Sequence, residues 1–215
     1  MNAASPGPVA PGFYGKLPAL GDFAARRLPT AFITPWDAFL QAGLAASRLR
    51  FGAAWTGHFL SAPVWRFLLA PGVLGAPGWI GILLPSVDRV GRYFPLTIAA
   101  PLPAQAFDAR GMLRAAAAWF SAVETIALGA LSPRVGPEAL DAGLAGIAPL
   151  SLPRPAGAAP ATPHTLWWTM GSEIAPECVL ASDALPADDR FCALLDGRWQ
   201  DHGWARDAHL SGVGV

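Results

Sequence analysis

Three strand-like apolar runs follow one another with only short Pro/Gly-rich connections: "VWRFLLA" at 64–70, "WIGILLP" at 79–85 and "YFPLTIAA" at 93–100. Parallel neighbours need a long crossover, so runs this close together predict an antiparallel meander. The middle run is apolar on both faces, which marks a central strand. Pro95 cannot donate a ladder hydrogen bond, so the third run carries an edge stretch or a bulge there. The uncharged stretch from Phe67 to Val87 has the length of a membrane span. Pro71, Pro77, Pro85 and four glycines interrupt it, and two strands with a loop are the better reading.

The flanking segments supply further elements. "GFYGKLPALGDFA" at 12–24 predicts a strand, a turn at Leu20-Gly21 and a short second extended piece. In "TPWDAFLQAGLAASRLRFG", Thr34 suits an N-cap, Pro35 the first helical position and Asp37 the third residue after the cap. Trp36, Phe39, Leu40, Gly43 and Leu44 recur at helical spacing, predicting a helix over 35–51 closed by Gly52. Residues 53–61 predict a short second helix ended by Pro63. A long helix from Asp108 to about Gly129 places Leu113, Ala117, Phe120 and Val123 on one face, and a shorter helix lies within 133–150. "PLSLPRPAGAAPATP" reads as a surface loop. "TLWWTM" and "ECVLAS" form a second hairpin, and "LPADDRFCALLDG" a last helix ended by Gly197. The fold class is α/β of the α+β kind: a single domain over 12–197, with a mostly antiparallel sheet of five to six strands covered by helices on both faces. Residues 1–11 read as a disordered lead-in without signal-peptide character, and 198–215 as a tail.

Hydrophobic residues make up 53% of the 215, enough to build a core without disulfides or metal. Formal net charge is zero, which argues against nonspecific nucleic-acid binding. Cys178 and Cys192 stand in no CxxC spacing and read as buried, reduced thiols of a cytoplasmic protein. Against a charged fraction of only 14%, the string "LLPSVDRVGRYFPLTIA" at 83–99 concentrates Ser86, Asp88, Arg89 and Arg92 in one turn.

Most catalytic readings of that turn fail on residue type. Ser86 has no glycine elbow, and His58, His164, His202 and His209 are scattered, which argues against a hydrolase. No GxxxxGK[ST] or GxGxxG string is present to cradle a phosphate. His202 and His209 with Asp201 and Asp207 form the one cluster with metal-ligand chemistry, and a solvated tail is the better reading of it, so no metal and no cofactor are expected. Of nine tryptophans, Trp36, Trp55, Trp65, Trp79, Trp119, Trp167 and Trp168 lie within predicted elements and most read as core; Trp167 and Trp168, adjacent in one strand, must point to opposite faces. Two readings of the arginines stay open. Arg89 and Arg92 can hold a carboxylate or phosphate between them. Alternatively, Asp22 or Asp88 already pairs with them, pinning the turn to "LGDFA" in one network of Asp22, Asp88, Arg89 and Arg92.

"GKLPALGDF" and "PSVDRVGRYFPL", in that order, with "PWDAFLQAGLAAS", "APVWRFLLAPGVLG", "LWWTMGSE" and "FCALLDG", resemble the TagF (ImpM) family associated with bacterial type VI secretion. The resemblance implies an α/β sandwich and a cytoplasmic regulator without catalysis. Such a protein represses assembly or firing after translation, beside the threonine phosphorylation pathway, with a forkhead-associated scaffold as partner. Some relatives carry a PP2C-type phosphatase domain; here any phosphatase is expected to be a separate protein. The alternatives are a binder of, or enzyme for, small anionic or phosphorylated ligands at Arg89 and Arg92, and a structural accessory of the secretion machine.

Overall fold

Alternation of inward and outward side chains along short apolar runs builds a seven-stranded sheet in the computed structural model, which describes residues 10–102, 112, 115–150 and 164–204. The strands are β1 (Gly12–Lys16), β2 (Phe23–Arg26), β3 (Trp65–Leu69), β4 (Gly78–Leu84), β5 (Leu96–Leu102), β6 (Thr165–Thr169) and β7 (Cys178–Ser182). Their spatial order is β2-β1-β5-β4-β3-β6-β7. Every pairing is antiparallel. The strand count exceeds the expected five to six because "FAAR" is a paired strand of its own, in register Lys16↔Phe23 through Phe13↔Arg26. The third run enters the sheet ladder at Leu96, immediately after Pro95, and before it Tyr93 makes an isolated bridge with Val87. Gly15, at a φ of +141°, lies so close to the Pro95 carbonyl that a Cβ there would overlap it, which is why the β1–β5 crossing takes glycine.

Helices cover both faces. α1 (Thr30–Phe51), α2 (Trp55–Ser61) and α5 (Asp189–Asp196) lie on one, α3 (Ala117–Ala130) and α4 (Pro137–Ala145) on the other. Consecutive strand residues therefore enter different cores: Trp168 and Leu68 meet Phe120 and Val123, while Trp167 and Phe67 meet Trp36 and Leu40. Trp167 and Trp168 are both fully buried, one on each face. On the α1 side the aromatic rings carry polar pins. Trp36 stacks parallel to Trp167 at 6.1 Å and donates to Thr97 Oγ1 at 2.8 Å. Trp65 donates to the Leu194 carbonyl at 2.7 Å, tying β3 to α5. On the other side Arg66 of β3 grips Glu124 of α3 through two bonds, of 2.6 and 3.0 Å.

Three local expectations need correction. α1 starts at Thr30, not after Thr34, and Pro35 lies inside it. The extra turn buries Phe32 one turn ahead of Trp36, and Phe32 and Ile33 both donate to the Pro29 carbonyl. Ala117 of α3 is exposed, and the inward stripe is Trp119, Phe120, Val123 and Ala127; the Asp108 and Leu113 portion lies outside the described residues. The packed body also runs past Gly197. A 3-10 turn, Trp199–His202, folds back on α5, and Trp204 donates to the Arg190 carbonyl at 3.0 Å. Residues 205–215 and 1–9 lie outside the described part.

Helix α1 meets α5 at Gly43, where a Cβ would overlap the Phe191 ring. Gly43→Ala is therefore expected to destabilise: overpacking costs about 1–3 kcal/mol, against a helix-propensity gain of about 0.8–1.0 kcal/mol. Gly57→Ala on the exposed side of α2 meets nothing within 4 Å and is expected to stabilise by up to about 1 kcal/mol. Urea denaturation of the two variants should move the midpoint in opposite directions.

Candidate functional site

Register brings the singled-out turn to one end of the sheet. Gly15 and Leu84 both pair with Leu96, so the β1–β2 turn and the β4–β5 connection lie side by side. Their joint centre is Asp88, whose side chain is wholly buried. Oδ1 accepts the backbone N–H of Val90 at 3.0 Å and of Arg92 at 2.9 Å. Oδ2 receives the Lys16 ammonium at 2.9 Å and Arg92 Nε at 2.7 Å. Four donors thus fill a carboxylate with four acceptor directions. Burial, the largest single influence, pushes this carboxyl upward. The Arg92 N–H, Lys16, the Arg92 guanidinium and the Val90 N–H together outweigh it and hold Asp88 well below the usual carboxylate range.

Further bonds lock the two loops. Ser86 Oγ donates to the Lys16 carbonyl at 2.8 Å, so its proton is committed to backbone and not offered to a base. The Arg89 N–H donates to the Leu20 carbonyl at 2.8 Å, and Arg92 Nη2 donates to the Gly21 carbonyl. Gly91, at a φ of +85°, permits the tight return from Asp88 to Arg92.

Of the five residues singled out in the sequence, the structure bonds Asp88 directly to Arg92 and ties Ser86 to the same knot through the Lys16 carbonyl. Asp22 stays outside: it is exposed and, among the described residues, its carboxylate accepts only the Phe23 N–H, at 2.8 Å. Arg89 joins through its backbone alone. Its exposed guanidinium runs beside Gly21 and has no ion pair or hydrogen bond among the described residues. With Arg92 bonded to Asp88 and to the Gly21 carbonyl, the two guanidiniums do not form a ready clamp. The member that sequence reasoning missed is Lys16. Its signal was its rarity, as the single lysine in the chain, standing at the end of the first strand.

Around this knot the surface is aromatic and cationic. Phe23 is 42% exposed, stacks on Tyr14 at 5.6 Å, meets Phe94 edge-on at 4.8 Å, and has the Lys16 ammonium 5.3 Å from its ring centre. Val90 is 65% exposed at the tip of the turn. Cys178 and Cys192 lie elsewhere, free and buried, and burial pushes both thiols upward, to about 12 and about 11. No helix among the described residues is long and apolar enough to cross a membrane.

Fold and knot together define a class: an antiparallel α/β sandwich whose most concentrated polar chemistry clamps two loops at one sheet end. The family model of the TagF N-terminal domain, type VI secretion system-associated, matches residues 12–147, and the chain belongs to that family. The matched span contains every residue of the knot. PA0076 from Pseudomonas aeruginosa PAO1, solved by crystallography at 2.05 Å, is similar over 88% of this chain and 95% of its own, with 37% identity and a TM-score of 0.80. No curated protein matches the chain.

Because Asp88 is held ionised, the unfolded chain binds a proton more readily than the folded one. The knot's contribution is full above the ordinary carboxylate range, about pH 4. It is lost as pH falls below that range towards the depressed folded value. Denaturant midpoints measured across acid pH should fall for the native chain. Asp88→Asn should be less stable at neutral pH and show a shallower acid slope.

Proposed function

We propose that this protein is a non-catalytic, cytoplasmic regulator of a type VI secretion system. It acts after translation by offering the sheet end around Phe23, Arg89, Val90 and Arg92 to a forkhead-associated scaffold, and so restrains assembly or firing. Family membership supports the secretion setting. The observation that carries the surface reading is the asymmetry of the knot. Its charged centre is buried and fully bonded, so it is spent on rigidity, while an exposed phenylalanine, an exposed valine and the Arg89 guanidinium, without a partner among the described residues, stand on the rigid frame. Aromatic and arginine side chains on preorganised backbone are what anchor protein interfaces. Ser86 donates to backbone and Asp88 is saturated, which leaves neither in the role of nucleophile or base.

A second reading, capture of a small anion or phosphorylated ligand, draws on the exposed Arg89 guanidinium, which stands outside the Asp88 network. A third makes the protein a structural accessory of the machine. The double variant Arg89→Glu, Val90→Asp alters only exposed side chains. Its circular dichroism and thermal midpoint should match the native chain. Its affinity for the purified scaffold should fall by about 30-fold, the scale of a 2 kcal/mol interface anchor. Native affinity in the folded double variant sinks the surface reading. A thermal shift with phosphorylated small molecules that Arg89→Glu removes would favour the second reading. Co-purification with sheath or baseplate proteins in place of the scaffold would favour the third.

A further inference from the structure

The chain end that sequence analysis treated as a tail carries a second polar centre, far along the chain from the Asp88 knot. Gly197, left-handed at a φ of 70°, ends α5 and turns the chain into the Trp199–His202 turn. His202 is thereby laid against α5 and is only 1% exposed. Its Nε2 stands 2.8 Å from Asp196 Oδ2, and Asp196 Oδ1 accepts the Arg198 N–H at 2.9 Å. Its Nδ1 faces Asp189 Oδ1 at 3.3 Å. Buried Cys192, on the same helix, brings its sulfur within 4.8 Å of both ligand atoms.

A neutral imidazole that donates from Nε2 to Asp196 presents a bare lone pair at Nδ1. In that tautomer the lone pair and the Asp189 carboxylate oxygen are both acceptors, an opposition that a cation between them, a proton on Nδ1 or a metal ion, relieves. We propose that Asp189, Cys192 and His202 bind a zinc-type divalent transition-metal ion through a carboxylate oxygen, a thiolate and Nδ1. Asp196 acts as a positioning residue that fixes the tautomer and orientation of the imidazole.

Three observations carry this. The donor set mixes oxygen, sulfur and imidazole nitrogen, which suits zinc and not magnesium or calcium. Ligands about 2.05 Å from a tetrahedral zinc stand about 3.3 Å apart, the spacing found between Nδ1 and Oδ1. Metal-bound histidines also characteristically donate their other N–H to a carboxylate, as the Asp196 contact allows. The sulfur is the ligand that must approach. Its own contact is a weak one, to the Asp188 carbonyl at 3.9 Å. Arg50 reaches the same Asp189 oxygen at 3.4 Å, but both side chains are about half exposed and such a pair is readily exchanged. Binding releases the Cys192 thiol proton and leaves a fourth position for water.

The test uses the full chain freed of metal and titrated with Co2+, which reports geometry and thiolate ligation optically, followed by Zn2+ competition. Saturation at one ion per chain is expected, with tetrahedral ligand-field bands and a thiolate charge-transfer band that Zn2+ erases. Cys192→Ser should abolish the charge-transfer band while circular dichroism is unchanged. Asp196→Asn should weaken binding by about 10-fold or more. Absence of the charge-transfer band in the native chain overturns the proposal. So does its persistence in Cys192→Ser, or full affinity in a folded His202→Gln chain.

Discussion

One buried carboxylate organises the functional end of this molecule. Asp88 sits where a charge is expensive to bury, and it is tolerable there because two cations and two backbone N–H groups converge on it. Each donor belongs to a different constraint. Lys16 brings the end of β1, the Val90 and Arg92 amides set the turn, and the Arg92 side chain bridges onward to Gly21. Removing the carboxylate would leave a buried ammonium without its counter-charge and free both loops at once. The shape of the surface around Phe23 and Val90 therefore depends on a carboxylate that is itself wholly buried.

The two cores rest on a different logic. Strand alternation sends neighbouring residues to opposite layers, and directional bonds on tryptophan and arginine decide how each layer is seated. Trp36 to Thr97 and Trp65 to Leu194 fix α1 and α5 against the sheet, and Arg66 to Glu124 fixes α3. Hydrophobic burial supplies the driving force without direction, while these few bonds select one seating among many that bury similar area.

Much of this was legible because the signals were local. The β3–β4–β5 meander follows from run length and connection length, and α5 from its closing Gly197. The start of α1 was not legible: Thr34-Pro35 carries every mark of a helix entry. Only the tertiary burial of Phe32 extends the helix one turn earlier. The segment after Gly197 escaped because a single 3-10 turn has no periodicity to detect, and its order comes from Trp204 and His202 reaching back to α5. At the knot, charge density pointed to the correct turn, but which charges meet is a matter of register. Asp22 and Asp88 look equivalent in the sequence; only Asp88 lies opposite Lys16, while Asp22 spends its oxygen on the next amide.

The pairing of β3 with β6 has a consequence for how much of the chain can stand alone. The span matched by the family model ends at residue 147, before β6 and β7 begin. Within that span β3 has β4 on one side and nothing on the other, since its remaining partner is β6, in register from Arg66↔Trp168 to Leu69↔Thr165. A fragment cut there would expose the unpaired amides and carbonyls of a mostly apolar strand, a template for joining chain to chain. The β6–β7 hairpin thus covers the β3 edge that the matched span leaves open.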